Sequence, residues 1–324
     1  MGKIIYGGIY ASQIQDFIDF KQHCGFKYGT EKKILLQFDK LTQERGEEKI
    51  GIDARLAHIW SIRRDNESDA YRYKRCVTLN QFVLHLNRKG IGSTMARAPK
   101  PKKNFTPHIY TQKELDSIFE ACDNLKCDYI RRDSLYIIMP ALIRFLFSTG
   151  VRIGEALGLK TDDINLMHNH LTLRDTKNGK ERLLPFSESI AIVLREYSNH
   201  RDKLAPQKQI GFFFLTARGK KCRPEQIYKV FRKVLVTAAI PFKGGHYGPG
   251  LQSFRHTFAV RSLASMIDQG MDIYCSLPIL STYLGHQSLD ATNQYVRLTA
   301  ERHPGLIKNI EEVLINVFPS IENS

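Results

Sequence analysis

Apolar positions recur at helical spacing in four stretches near the start of the chain. Ile9, Ile14, Phe17 and Ile18 form the first, and Ile34, Leu35, Phe38 and Leu41 the second. Ile52, Leu56, Ile59 and Ile62 form the third, and Val77, Leu79, Phe82, Val83 and Leu86 the fourth. Side chains three or four apart share a helix face, so each stretch predicts an amphipathic helix. Together they predict a small helical domain over residues 1–92. The pattern then stops. Arg97-Ala98-Pro99-Lys100-Pro101-Lys102-Lys103 combines proline and charge with little to bury, which predicts an extended linker over 93–108.

A second pattern follows. Thr111-Gln112-Lys113-Glu114 predicts a capping box ahead of Leu115, Ile118, Phe119 and Cys122. Residues 135–147 are almost continuously apolar, which predicts a helix buried on all sides. Gly150 breaks it, and Arg152 opens the next short helix. Residues 170–174 and 182–185 predict two strands, with Asn178-Gly179 as the hairpin signal between them. From Ser187 onward the pattern is helical. After a break at His303-Pro304-Gly305, Leu306, Ile307, Ile310, Val313, Leu314 and Val317 predict a tail helix at 305–318. The fold class expected is mainly α with a small antiparallel β-sheet: a helical N-terminal domain and an α+β domain over 109–324.

Charge narrows the partner. The 324 residues carry a formal net charge of +15, and 42% of them are hydrophobic, enough for true cores. Up to position 105 there are 20 Lys and Arg against 11 Asp and Glu, a net +9. Arg63-Arg64 and Arg72, Lys74 and Arg75 cluster around the last two predicted helices of the first domain. Such a balance calls for a polyanion, nucleic acid first and an anionic membrane surface second. No run of uncharged apolar residues is long enough to span a bilayer, and the start lacks a signal peptide or a myristoylation site. The six cysteines are scattered, which predicts reduced thiols in a cytoplasmic protein with no metal and no disulfide framework.

The candidate chemistry lies in the second domain. Arg152, Arg255, His286 and Tyr295 stand without a metal-ligand cluster, a set suited to attack on a phosphodiester. The planar arginine fork donates two parallel hydrogen bonds to phosphate oxygens and stays protonated, and a tyrosine can be the nucleophile. Arg152 and Arg255 are expected at helix starts, where the dipole adds to their charge. Glu155, three residues past Arg152, either holds that guanidinium or makes a local salt bridge. Lys177, ahead of the Asn178-Gly179 turn, can protonate a leaving oxygen, with Lys180 its rival. His286, just past a glycine-capped helix end at Leu284-Gly285, can donate to a phosphate oxygen.

At this point the chain resembles a tyrosine recombinase of the phage-integrase family. The motifs are Thr149-Gly150-Val151-Arg152-Ile153-Gly154-Glu155-Ala156-Leu157 and Thr176-Lys177-Asn178-Gly179-Lys180-Glu181-Arg182-Leu183-Leu184-Pro185. Phe254-Arg255-His256-Thr257-Phe258-Ala259 and Leu284-Gly285-His286 follow, with Thr292 and Tyr295. The stretch from Leu277 to His286 further resembles recombinases carried by bacterial transposons. The resemblance implies that Arg152 and Arg255 bind the scissile phosphate, Glu155 supports Arg152, and His286 contacts the phosphate. It implies that Lys177 is the general acid and that Tyr295 forms a 3′-phosphotyrosyl bond, without metal, ATP or cofactor. It also implies a SAM-like core-binding domain clamping double-stranded DNA, a tail exchanged within a DNA-bound tetramer, and a nucleoid-associated protein working with accessory recombination factors and no membrane. Candidate DNA contacts are Arg72, Lys74, Arg75, Lys100, Lys102 and Lys103.

One position departs from the family. Histidine usually stands three residues before the second arginine, and here that residue is Gln252. Glutamine can orient a group but cannot take the tyrosine proton, and loss of a general base costs on the order of 10²–10⁴ in rate. His256 lies about 100° around the helix from Arg255 and is expected to point elsewhere. His246 is a sequence-near substitute. Two other readings share these residues: a type IB topoisomerase-like relaxing enzyme, and a DNA-binding relative that has lost catalysis.

Overall fold

The computed structural model describes residues 4–100, 106–125, 135–174, 181–204, 211–242, 248–286 and 290–302. The chain divides into two compact units, Met1–Asn104 and Phe105–Ser324.

The first unit holds four helices, α1 Ala11–His23, α2 Gly29–Glu44, α3 Ala54–Ser61 and α4 Asp69–Arg88. Each carries one of the four apolar patterns. Asp53 caps α3 by accepting from the Leu56 amide, and Ser68 caps α4 by accepting from the Tyr71 amide. The core gathers Ile14, Phe17, Ile34, Phe38, Trp60, Leu79, Phe82 and Leu86. Ile62 departs from the expectation: α3 ends before it, and its side chain is exposed.

Two further expectations change. The segment read as free linker begins docked on this unit. Thr94 donates to the Ile52 carbonyl, and Asn80 bonds the Ala96 backbone in both directions at 2.9 and 2.7 Å. Ala96 is buried. Arg75 is not a surface cation but is fully buried. Its guanidinium grips Glu67 with two 2.8 Å bonds, donates to the Trp60 and Ile62 carbonyls, and lies over the Trp60 ring. Four of its five N–H groups are bonded inside this core and none of the side chain is exposed, so it cannot serve as a DNA contact. Arg72 donates to the Ser61 carbonyl, and Lys74 pairs with Glu31 while remaining largely exposed. Lys100 is exposed, and Lys102 and Lys103 lie outside the described residues.

The second unit is mainly helical around a small sheet. Its helices are α5 Gln112–Asp123, α6 Met139–Thr149, α7 Ile153–Ala156, α8 Glu188–Leu204, α9 Pro224–Thr237, α10 Leu251–Asp268, α11 Ile273–Leu284 and α12 Asp290–Arg302. The Thr111–Glu114 capping box forms at α5. Helix α6 buries Met139, Ala141, Leu142, Ile143, Phe145 and Leu146, which explains its unbroken apolar sequence. Strands β1 Ile164–Asn165, β2 His170–Leu173 and β3 Arg182–Pro185 pair antiparallel in that order. Leu173 faces Arg182, and the Asn178-Gly179 turn expected between these strands lies outside the described residues. Helices dominate from Ser187 among the described residues, but 211–221 is not helical and carries bridges from Lys160 to Phe212 and from Leu215 to Lys221, with a turn closed by the Gly219 amide on the Thr216 carbonyl. A second core joins α10, α11 and α12 through Val260, Leu263, Leu280, Leu284, Tyr295 and Leu298. The tail helix lies outside the described residues. Among the described residues no helix is long and apolar enough to cross a membrane.

Candidate active site

Helix α6 ends where Gly150 adopts φ 60°, a left-handed conformation that glycine takes without strain. A Cβ there would stand 2.5 Å from the Phe258 ring. The sharp end sends the chain back through Arg152, which precedes α7. Glu155 then closes on it. Its carboxylate accepts from the Arg152 amide at 3.0 Å and from the Arg152 guanidinium at 2.8 Å. It also accepts from Arg182 on β3 at 3.0 and 3.4 Å. Glu155 thus makes the local salt bridge to Arg152 and adds a second one to Arg182. Arg182 continues to the Tyr283 carbonyl at 3.1 Å and passes over Gly285, where a Cβ would meet it at 2.6 Å. One arginine thus ties α7, β3 and the end of α11 together.

Arg255 lies in the second turn of α10 rather than at its start, and is 2% exposed. It donates to the Gly150 carbonyl at 2.8 Å and to the Leu284 carbonyl at 2.6 Å. Those bonds occupy two of five N–H groups and aim the fork, and the guanidinium also interacts with the Tyr295 hydroxyl. Gly285 caps α11 at φ 65° and turns the chain so that His286 meets Thr292 of α12, Nδ1 to Oγ1 at 2.8 Å. Tyr295, one turn further along α12, is 1% exposed. Its ring stacks at 6.2 Å on His286, and its hydroxyl bonds His256 Nδ1 at 3.0 Å.

His256 is therefore a correction to the expectation that it points away. The angle that matters runs from position 252, not 255. Residues 252 and 256 are one turn apart, about 40° around the helix, and share a face. Gln252 sits on the exposed start of that face. With Arg152, Lys160, Arg174 and Lys221 it lines a cavity of about 650 Å³. Four cations there outnumber the carboxylates Glu155 and Asp163, which gives the cavity a positive lining. Lys177 and His246 lie outside the described residues, so neither is placed. His256 and Arg182 are the site residues that sequence reasoning missed. Both stand inside the quoted motifs, but their partners are 39 and 101 residues away.

The electrostatics favour a polyanion. Burial, and then Arg152, lower the Arg255 pKa to about 10, so it stays charged at neutral pH. Burial followed by Arg255 pulls His256 down to about 4. Burial followed by Arg255, Arg152 and Arg182 does the same for His286. Both rings are neutral near pH 7, each with one donor and one acceptor nitrogen. Burial raises the Tyr295 pKa, against the lowering pull of Arg255 and Arg152. Burial also pushes Glu155 up, but the Arg152 amide and Arg182 outweigh it and leave the carboxyl below its ordinary range. Among the described residues, no three His, Cys, Asp or Glu side chains are placed to hold a metal ion.

Arg255 and Arg152 both act on a buried tyrosine, an arrangement able to receive an anion. Comparison with known proteins gives the family. Residues 109–302 match the model of the phage integrase family. The Sinorhizobium fredii protein y4rB, whose name places it among integrases and recombinases, is 26% identical over 302 residues, 92% of this chain and 96% of its own length. The tyrosine recombinase XerC of Oceanobacillus iheyensis is 30% identical over 230 residues, covering 69% of this chain and 68% of that one. The Tn1549 transposon integrase, solved in complex with transposon right end DNA, matches with a TM-score of 0.65 at 16% identity, over 90% of this chain and 98% of that chain. That last likeness is one of fold. The chain belongs to the phage integrase family. It is a tyrosine recombinase, an enzyme of the class that breaks and rejoins DNA strands.

Proposed function

We propose that this enzyme is the site-specific recombinase of a mobile element and cuts each strand by attack of Tyr295 on a phosphodiester. The observation that carries the reading is buried Tyr295, its hydroxyl bonded to His256 and its ring stacked on His286, in the field of Arg255 and Arg152. Arg152 and Arg255 hold the non-bridging oxygens, and their charge opposes the extra negative charge of the pentacovalent transition state. The Thr292 hydroxyl bonds Nδ1 of His286, and in the tautomer where the hydroxyl donates, the ring's proton sits on Nε2 and can meet a phosphate oxygen. The Oη–P bond forms as the bond to the 5′ oxygen breaks, and Lys177 supplies that oxygen's proton. The ester keeps the bond energy, so rejoining is the same reaction reversed.

The partner in this reading is double-stranded DNA, bound largely through phosphates and weakened steeply by salt, as the +15 charge requires. Lys74 and Lys100 are the exposed candidates in the first unit. Four protomers would hold two sites, with residues 305–318 exchanged between neighbours. Truncation after Pro304 is expected to leave DNA binding intact and to abolish tetramer assembly in sedimentation on DNA. Tetramers formed by the truncated protein would refute the exchange.

Covalent trapping tests the chemistry. Protein in EDTA is incubated with a nicked duplex and then boiled in detergent. An adduct that forms with wild type and vanishes in Tyr295→Phe is the expected result. Tight binding without any adduct would favour the DNA-binding relative that has lost catalysis.

A further inference from the structure

We propose that His256 takes the phenolic proton of Tyr295 during attack, filling the role left open by Gln252. The proposal rests on the strand-cleavage reading above. The chain needs such an acceptor, since glutamine does not titrate. Position 256 is the next residue on the same face of α10, one turn deeper. Its Nδ1 is already 3.0 Å from the hydroxyl oxygen of Tyr295, within reach for direct transfer. Both residues are buried, so the contact is sheltered from water that would otherwise compete.

The groups around the pair set when transfer happens. Arg255 stands beside His256 on α10, Arg152 precedes α7, and Arg182 projects from β3. His286 follows α11, and Glu155 is already bound to the two arginines of α7 and β3. This buried environment, and after burial the charge of Arg255, keeps the ring of His256 neutral down to about pH 4, and hence an acceptor throughout the neutral range. It also opposes a second cation. Transfer with no phosphate present would be uphill, since burial lowers the pKa of His256 and raises that of Tyr295. The resting enzyme therefore keeps its tyrosine protonated. A bound phosphodiester adds negative charge where the arginines concentrate it, and more accumulates as phosphorus becomes pentacovalent. Proton movement is thus tied to bond formation. The Oη–H bond breaks as Oη–P forms, Nδ1 gains the proton, and the 5′ oxygen leaves with a proton from a different acid. On rejoining, Nδ1–H returns its proton to Oη.

The test uses the full chain and a nicked duplex of the sequence that Tyr295→Phe protein selects from a randomised duplex library. Single-turnover adduct rates are measured in EDTA between pH 6 and 9.5. His256→Asn places an amide near Nδ1 that can still hold the hydroxyl but cannot take its proton. It is expected to slow adduct formation about 10²–10⁴-fold at pH 7, with the deficit shrinking as pH rises. Gln252→His added to His256→Asn is expected to recover at least about tenfold, by restoring a base on the same face. Rates within threefold of wild type would overturn the proposal. So would a deficit equal at every pH, which marks a residue that only positions the tyrosine. Nitrogen-15 spectra of histidine-labelled wild type give a reading that needs no variant to fold. An unprotonated Nδ1 on His256 at pH 7 is required, and a protonated one overturns the assignment. Absence of any wild-type adduct sinks the cleavage reading itself, and this proposal with it. A normal wild-type adduct unaffected by His256→Asn sinks this proposal alone.

Discussion

Glu155 offers the sharpest test of how the site is held. Its carboxylate is 8% exposed and accepts from two arginine side chains and one backbone amide. Glu155→Gln keeps the shape and one acceptor oxygen. The other oxygen becomes an NH₂ group facing an N–H donor, so about half of the bonds are lost and both guanidinium groups lose their counter-charge. Breaking a buried pair costs about 3–5 kcal/mol, and each bond to a charged group contributes about 1.5–3 kcal/mol. Because one acceptor remains, the expected loss is about 2–4 kcal/mol, or roughly 5–15 °C in the melting of a unit of this size. The assay is far-UV circular dichroism with tryptophan fluorescence followed in parallel. The one tryptophan, Trp60, lies in the other unit and serves as an internal reference. Adduct formation should fall about 10–100-fold, since Arg152 loses its tether. The pH dependence carries its own sign. The folded pKa of Glu155 lies below the unfolded one, so its contribution is complete above pH 4.5 and is lost as pH falls through the folded value. The variant's acid dependence should be correspondingly flatter. A second-unit transition within 2 °C of wild type, or an unchanged acid limb, would refute the argument.

Further outcomes follow from the same geometry. Glu67→Ala leaves Arg75 charged and unpaired in the first core, so urea unfolding read by Trp60 fluorescence should show about 3–5 kcal/mol lost, with the second unit unaffected. Gly150→Ala forces a side chain into a left-handed conformation and against Phe258, at a cost of about 1–3 kcal/mol, and moves the carbonyl that aims Arg255. Its adduct rate should fall further than its melting temperature alone explains, whereas Gly154→Ala, with open space at its Cβ, should melt like wild type. His256 and His286 both have folded pKa values lowered from 6.5 to about 4. The unfolded chain therefore takes up protons first as pH drops, and the second unit should lose stability between pH 6.5 and 4, with the full contribution present above that window. A melting temperature constant across that range would contradict the neutral, buried state of both rings.

Much of the fold was legible because local rules dominate it. The four helices of the first unit follow from three- and four-residue spacing of apolar side chains. Gly150 and Gly285 end helices because only glycine takes a left-handed turn there cheaply. The misses share a cause. Arg75 reads as a surface cation because nothing in its neighbourhood announces that Glu67, eight residues earlier, will close on it inside the core. The first residues of the linker read as free because their charge and proline outweigh the one small residue, Ala96, that docks against Asn80.

The site shows the same boundary more finely. The motifs around Arg152, Arg255, His286 and Tyr295 were legible as chemistry, since two fixed cations and a hydroxyl suit few substrates other than a phosphodiester. What spacing alone cannot supply is which helix lies across from which. Helical arithmetic places Gln252, Arg255 and His256 within one arc of about 100° on α10. It says nothing of α12, whose packing against α10 through Leu263 and Leu298 brings the Tyr295 hydroxyl to that arc. A glutamine at position 252 looks like a lost function when α10 is read alone. With α12 in place, the same face still holds an imidazole against the Tyr295 hydroxyl, one turn deeper and out of water. Under the proposed chemistry the substitution bears on where the proton goes rather than on whether the strand is cut, and an adduct rate that depends on residue 256 rather than 252 is the signature that separates the two.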